Sequence, residues 1–310
     1  MVDLTHKLPD SFFESEYKQI LVDSSMKKIW AVELDLLKEF DRICQKRNIK
    51  YSLAYGTLLG SVRHGGFIPW DNDIDVIMLR DEYEKLCACA NDFQSPYFLQ
   101  NEDTDPLACR GHAQLRNVQT TGILRSEMKH GKAVYEFNQG IFLDVFVMDE
   151  VPRNTDERKR FFKAVRRLKR KVLQHKKKIG AYQARSRIKM PFNLVAGGMW
   201  IALKDKIIGR NSLKKLQKEL EDLCCMYRGM PDTLVSPIMF SPRLAEKECY
   251  DKDIFEDFVE IEFEHSLFKA VRRFDEILTH KYGNWHKHVI GGEAHGGVLF
   301  DAERSYTEYL

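Results

Sequence analysis

The chain has 310 residues, 44% of them apolar, and a net charge of only +3. That length suits one large domain or two small ones, the apolar fraction is that of a globular protein, and the near balance of charge excludes a polycation acting through bulk attraction. No stretch reaches the ~18 apolar residues needed to span a bilayer; the nearest, MPFNLVAGGMWIAL (190–203), is short and carries a proline and two glycines.

The opening MVDLTHKLPDSFFESEYKQ has no basic region followed by an apolar run, so a secretory leader is not expected and the expected location is cytoplasmic. Residues 26–46 place Ile29, Trp30, Val32, Leu36, Leu37, Phe40 and Ile43 at the spacing of an amphipathic helix. YSLAYG (51–56) reads as a short strand entering a glycine turn, and TLLGSVRH (57–64) as one or two helical turns ended by Gly65 and Gly66. Asp73 to Leu79 reads as a strand, and RDEYEKLCACANDF (80–93) as a helix with acidic residues in its first turn, where they suit the helix dipole.

Residues 97–150 have β character, with candidate strands at 97–100, 112–118, 133–137 and 140–148. The last, GIFLDVFVM, is nearly all apolar around a single carboxylate, Asp144. From 154 to 230 the pattern is helical. It includes RKRFFKAVRRLKRKVLQHKKK (158–178), with twelve Lys or Arg and no acid, and a further helix over 213–227. In the tail, 254–263 alternates like strands, 266–283 has helical spacing and ends at a glycine, and 284–310 reads as loop. The seven cysteines (44, 87, 89, 109, 224, 225 and 249) are odd in number and fit no framework, which points to reduced thiols.

Within GGFIPWDNDIDVIML (65–79), Asp71, Asp73 and Asp75 occupy alternate positions. On one strand they would share a face, neighbours ~6.5 Å apart. Like carboxylates crowded at a core edge repel and hold protons unless something compensates. A divalent cation does so, and an all-oxygen donor set suits Mg²⁺ or Mn²⁺. Asp144 poses the same problem, and if its strand lies beside 73–79 it completes a three-carboxylate cup able to serve phosphoryl transfer. Gly56 and Thr57 offer a strand-to-helix turn as a phosphate seat, and Arg63 or His64 could add positive charge. The alternative is that PWDND is simply a polar turn.

The stretch YGTLLGSVRHGGFIPWDNDIDVIMLRDEYEKL (55–86) resembles the signature of the LicD family of phosphocholine transferases, with Ser61 in place of a usual alanine and Asn72 of a frequent aspartate. GIFLDVFVMDEVP (140–152) is similar to the family's next block, and YGNWHKH (282–288) to a late one, with Asn284 where aspartate is common. The resemblance runs through most of the chain and is dense only over 55–79. It implies an α+β fold of the nucleotidyltransferase type related to polymerase β, with a mixed sheet flanked by helices and a helical insertion. The implied organisation is a single domain over 1–310, with a catalytic core over 26–150, the basic helical segment over 154–230, and a C-terminal segment (234–310) packing back on that core. Asp73, Asp75 and Asp144 would be metal ligands, with Asp71 a further ligand or a supporting group.

The implied reaction is transfer of phosphocholine from CDP-choline to a sugar hydroxyl of a glycan precursor (lipopolysaccharide, teichoic acid or capsule), releasing CMP. Fukutin and fukutin-related protein, ribitol-phosphate transferases, share the motif, so CDP-ribitol or CDP-glycerol is an alternative donor. A non-catalytic nucleotide- or glycan-binding module is an alternative of another class. Asp71 or Asp144 could take the attacking proton. Arg116 is a further candidate for donor phosphate, against a packing role. Trp70 is a candidate wall for choline; for Tyr55, Tyr282 and Trp285 core packing is the favoured reading, and His295 is a weak acceptor-side candidate. The basic stretch 158–178 could touch an anionic membrane surface, which would suit a lipid-linked acceptor, or its apolar stripe could pack on the domain, and the two are compatible. A nucleic acid partner is not expected.

Overall fold

The computed structural model describes residues 2–188, 210–239, 242–287 and 297–310. The apolar stretch 190–203 and His295 lie outside them. The fold is α+β.

A short hairpin, β1 (Glu16–Tyr17) and β2 (Ile20–Leu21), precedes the long helix α1 (Ser24–Arg47). Asp23 caps α1 by accepting from Ser25 N at 2.7 Å, and Asn48 ends it in the left-handed region. There follow β3 (Ser52–Leu53), α2 (Tyr55–His64), β4 (Asp75–Leu79), α3 (Arg80–Ala88), β5 (Tyr97–Gln100), β6 (Ala113–Asn117) and β7 (Thr121–Leu124). A second small hairpin, β8 (Met128–Lys129) with β9 (Lys132–Ala133), leads to the long strand β10 (Ile141–Pro152). The helix α4 (Thr155–Ile188) and the helix Arg210–Cys224 come next, then β11 (Thr233–Ser236), β12 (Phe258–Phe263), β13 (Ser266–Val271), the helix Phe274–Tyr282 and β14 (Val298–Asp301).

Six of these strands form one mixed sheet in the order β3-β4-β10-β6-β5, with β11 pairing the far end of β10. Only β4 and β10 pair in parallel within it. One sheet face, carrying Val76, Met78, Leu115, Leu143 and Val145, packs on Trp30, Leu34, Leu37 and Phe40 of α1. The opposite face carries Ile77, Phe146 and Met148 and is covered by Tyr55, Tyr250, Phe255 and Ile277. Alternation along β4 and β10 therefore leaves Asp75 and Asp144 at the upper edge of this second face. The tail contributes to both sides: β11 joins the sheet, β13 packs on β3, and β14 pairs with β7.

The basic helix resolves one of the open alternatives. Phe161, Phe162, Val165 and Val172 of α4 are buried against Leu213 and Leu220 of Arg210–Cys224, with Val151 and Ile238 closing the cluster. The apolar stripe is therefore used in packing, which leaves the charged face of the helix for any contact with an anionic surface. Leu173 is the exception at 40% exposed. Among the described residues no helix is long and apolar enough to cross a membrane.

Three expectations need correction. Residues 266–283 are not one helix: Ser266–Val271 is a strand paired with Phe258–Phe263. The two-residue turn between them, Glu264–His265, has both φ values positive (45° and 61°), a hairpin geometry normally signalled by Asn-Gly and hidden here. The tail 284–310 is not all loop, since β14 pairs with β7, a strand the sequence reading passed over. Of 133–137, only Ala133 lies in a strand.

Candidate active site

The site is built where β4 meets β10. Asp75 and Asp144 are direct partners in the parallel register, and Asp144 N donates to the Ile74 carbonyl at 2.9 Å. The two carboxylates therefore project from the same face, and both are buried (7% and 3% exposed). Their row continues across the sheet: Asp144 stands opposite Gln114 on β6, and Gln114 opposite Gln100 on β5. Gln114 Nε2 donates to Asp144 Oδ1 at 2.5 Å, and His112 Nε2 lies 3.0 Å from the same oxygen. Arg116 pins this row from below. Its Nη2 donates to Gln114 Oε1, its Nε to Gln100 Oε1 at 2.6 Å, and its Nη1 to the Gly140 carbonyl at 2.6 Å.

Asp75 is fixed by its backbone. Its N–H donates to Thr57 Oγ1 at 2.8 Å and its carbonyl accepts from Ala54 N at 2.9 Å, tying the first residue of β4 to the first turn of α2. Asp75 Oδ1 is buried and has no hydrogen-bond partner. Burial first, then the like charges of Asp73, Asp144 and Asp71, hold the Asp75 carboxyl well above the usual range, with Lys281 opposing.

Asp73, expected to open the strand, lies before it, and the strand does not reach back to Asp71. The ladder begins at Asp75, because the preceding loop is committed elsewhere: the Asp71 carbonyl accepts from Trp30 Nε1 at 2.7 Å, and Asp71 N donates to the Ile68 carbonyl at 2.8 Å. The loop nevertheless brings the carboxylates together, since Asp71 and Asp73 both act on Asp75. The Asp71 side chain lies over Gly56, and a Cβ on Gly56 would overlap its carboxylate. The α2 N-terminus expected as a phosphate seat thus already faces a negative group, which its dipole favours. Thr57 is likewise an anchor for β4, only 3% exposed.

The donor set fits a hard divalent cation by chemistry: Asp71, Asp73, Asp75 and Asp144 offer only oxygen, the interacting carboxylates carry the repulsion a cation relieves, and Asp75 keeps an unpartnered oxygen. Among the described residues no three His, Cys, Asp or Glu side chains are gathered closely enough to enclose an ion.

Beside Asp71, Arg63, His64 and Trp70 line one open cavity of about 400 Å³ together with Lys18, Gln19 and Pro69. The N-terminal hairpin forms its wall. Lys18 and Gln19 make the two-residue turn at φ 52° and 65°, and Tyr17 fastens the hairpin by donating to the Phe67 carbonyl at 3.1 Å and to Glu264. Arg63 is half-buried, with Nη1 3.4 Å from the Trp285 carbonyl. Trp285 itself is buried and donates to Asp275 at 3.1 Å, and Tyr55 is buried in the core, so both serve packing. Tyr282 stays 39% exposed with Asp75, Asp71 and Asp73 among the charges acting on it, which places it at the rim of the site.

Of the two readings of Arg116, its surroundings match the packing one. It is fully buried, its fork is spent on Gln100, Gln114 and Gly140, and burial pulls its pKa down. Its guanidinium reaches Gln114, whose amide in turn donates to Asp144. The sequence reading missed His112, Gln114, Lys281 and Lys18. His112 and Gln114 were findable in principle, since alternation on 112–118 puts them in phase with Arg116. Lys281 and Lys18 carried no local signal, because only the tertiary fold brings Lys281 to Asp75 and Lys18 to the cavity lined by Arg63 and Trp70.

Comparison with known proteins bears on this geometry. Residues 48–163 match the LicD/FKTN/FKRP nucleotidyltransferase domain, a span containing all four aspartates. The chain is 26% identical over 263 residues to the lipopolysaccharide cholinephosphotransferase LicD of Haemophilus influenzae, covering 82% of this chain and 88% of that protein. Two uncharacterized proteins, from Rickettsia prowazekii and Rickettsia typhi, are each 52% identical over 48 residues, covering 15% of this chain and 18% and 16% of their own lengths.

Proposed function

The chain belongs to the LicD family, and on that premise we propose that it is a phosphotransferase moving phosphocholine from CDP-choline to a hydroxyl of a glycan precursor, with release of CMP. The observation that carries the reading is the parallel register that sets Asp75 opposite Asp144, with Asp71 and Asp73 delivered to the same edge by the preceding loop. The H. influenzae relative, a lipopolysaccharide cholinephosphotransferase by name, supports the transferred group and the glycan class.

In the reaction the acceptor oxygen forms a bond to the choline-bearing phosphorus. The bond from that phosphorus to the oxygen of CMP breaks, and the hydroxyl proton is given up to a carboxylate or to water. Asp73, Asp75 and Asp144 would hold Mg²⁺ or Mn²⁺, with Asp71 alongside; the ion supplies positive charge to the phosphate oxygens and the departing CMP. Gln114 and His112 occupy Asp144 Oδ1 and fix the orientation of that carboxylate. Asp71, less buried and not held by Gln114, is the better placed of the two proposed proton acceptors. Lys18 and Arg63 give the adjoining cavity the positive lining a diphosphate needs, with His64 beside them, and the Trp70 indole supplies an aromatic face for the quaternary ammonium.

The test is CMP release, with Mg²⁺ or Mn²⁺ and a glycan acceptor, from CDP-choline, CDP-ribitol and CDP-glycerol in parallel. Release from CDP-choline, with a raised KM for that donor in Trp70→Ala, is the expected outcome. Release from CDP-ribitol or CDP-glycerol alone would overturn the choline assignment while leaving a phosphotransferase. A ligand-induced gain in thermal stability with no CMP from any donor would point instead to a binding module.

A further inference from the structure

Helix α1 carries four buried acids: Glu33, Asp35, Glu39 and Asp41. Three are compensated in ordinary ways. Asp35 accepts from His6 N at 2.7 Å and from Tyr97 Oη at 2.8 Å. Glu39 is held by a forked pair of bonds from Arg42, both 2.8 Å. Asp41 accepts from Tyr51 Oη at 2.7 Å and from Gln45 at 2.6 Å.

Glu33 has none of this. It is wholly buried, and neither carboxylate oxygen has a hydrogen-bond partner. An unpartnered carboxyl in a core is among the least favourable groups a fold can bury, so it calls for a specific reason. Its position suggests one. Trp30, one turn earlier on the same helix face, reaches the Asp71 carbonyl through its indole N–H, which puts Glu33 at the helix side of the Asp71–Asp73 loop. Beyond burial, the charges acting on Glu33 are those of Asp73, Asp71 and Asp144, all of its own sign. Among the described residues, no cationic side chain is among the charges that act on it. The same gap was met at Asp75 Oδ1, the other buried carboxylate oxygen of this cluster without a partner.

We propose that Glu33 is a further carboxylate of the cation pocket, entering from α1 beneath the aspartate loop and giving an oxygen to the divalent ion gathered by Asp73, Asp75 and Asp144. This rests on the reading of those aspartates as a cation site. It assigns to α1 a part in the chemistry as well as in the core, and it gives a reason for a buried acid whose two oxygens have no hydrogen-bond partner.

The experiment is titration of the purified full chain with Mn²⁺ alone, without nucleotide, followed by calorimetry and by the shift in Tm. The wild type, Glu33→Gln, Glu33→Asp and Asp75→Asn are compared. In the wild type Mn²⁺ should bind and raise Tm. Glu33→Gln should keep a metal-free Tm at or above that of the wild type, because a neutral amide relieves the buried charge, yet bind Mn²⁺ at least tenfold more weakly. Should Glu33→Gln fail to fold, Glu33→Asp decides. Its retracted carboxylate keeps the charge but withdraws the oxygen, and a several-fold loss of affinity is expected. Wild-type affinity in whichever variant folds overturns the role of Glu33 while leaving the aspartate site standing. No response to Mn²⁺ in the wild type removes the cation reading itself and this inference with it.

Discussion

Asp75 and Asp144 stand opposite each other in the parallel pairing of β4 with β10. Partnered residues on neighbouring strands share a face, and in a buried sheet each would normally be apolar. Here the register forces two carboxylates into one low-dielectric corner, while the residues that flank them on both strands, Ile74, Val76, Leu143 and Val145, are core. Sliding the register by one residue would bury those flanking groups on the wrong face. The apolar pattern therefore holds the charged pair in place against its own repulsion.

Neutralising one member of the pair should separate stability from activity. Asp75→Asn removes a buried like charge, so the metal-free protein should be as stable as the wild type, or more stable by about 1 kcal/mol. Transfer should fall by roughly a thousandfold or more, the scale of losing a principal electrostatic contact in a transition state. Thermal denaturation and CMP release from the same preparations test this. Near-normal turnover in Asp75→Asn or Asp144→Asn would sink the assignment of the site.

Gly56 is sensitive for a reason of space rather than backbone freedom. A methyl group there overlaps the Asp71 carboxylate, which must then move. Alanine is a better helix former than glycine by about 1 kcal/mol, so Gly56→Ala should alter Tm little while lowering kcat at least tenfold. A double variant with Asp71→Asn should add little to the single one, since both disturb the same carboxylate. If the two losses multiply instead, Gly56 acts elsewhere.

Arg116 distinguishes a positioning role from phosphate contact. Arg116→Met strips donors from Gln100, Gln114 and the Gly140 carbonyl, all buried, and should cost about 3 kcal/mol in urea denaturation. Arg116→Lys, which keeps charge but not the fork, should fold and show a reduced kcat with an unchanged KM for the CDP donor, because Gln114 no longer holds Asp144 firmly. A raised KM with normal kcat would instead mean that the guanidinium reaches the donor.

How far the sequence reveals this arrangement depends on the range of each signal. The strand around Asp144 was legible because one acid within GIFLDVFVM has no local explanation, and its pairing beside 73–79 was stated as a condition that the register meets. The strand character of Asp71 and Asp73 was not, since alternation of acids looks the same in a loop and only the long-range bond from Trp30 takes that backbone off the ladder. The 266–283 stretch misled because Phe268 and Ala270 satisfy a period of two as well as a helical face, and the turn that decides between them has no glycine. Arg116 stayed open between two readings for another reason: a lone arginine in a strand shows its charge but not its burial. Glu33 was hidden inside a helix whose apolar periodicity was otherwise clear.

The last prediction concerns pH. Glu102 accepts from Gly111 N at 3.0 Å and from Gln217, joining the loop that carries His112 to the helix Arg210–Cys224. Burial, only partly countered by the Gly111 bond, pushes its carboxyl up from 4.5 to about 7. Because the folded pKa is raised, the native state binds more protons than the unfolded one between those values. Its contribution to stability is complete below about pH 4.5 and is lost as pH rises towards 7. The loss should be on the order of 3 kcal/mol. Asp75 and Glu33 are shifted in the same direction and slope the wild-type curve too, so the informative quantity is the difference between wild type and Glu102→Gln, which keeps a polar group but cannot ionise. Urea midpoints measured from pH 4.5 to 7.5 should converge at the acid end and separate in favour of Glu102→Gln at the neutral end. Parallel curves would mean that Glu102 does not titrate in this range and that the His112 loop is held by other means.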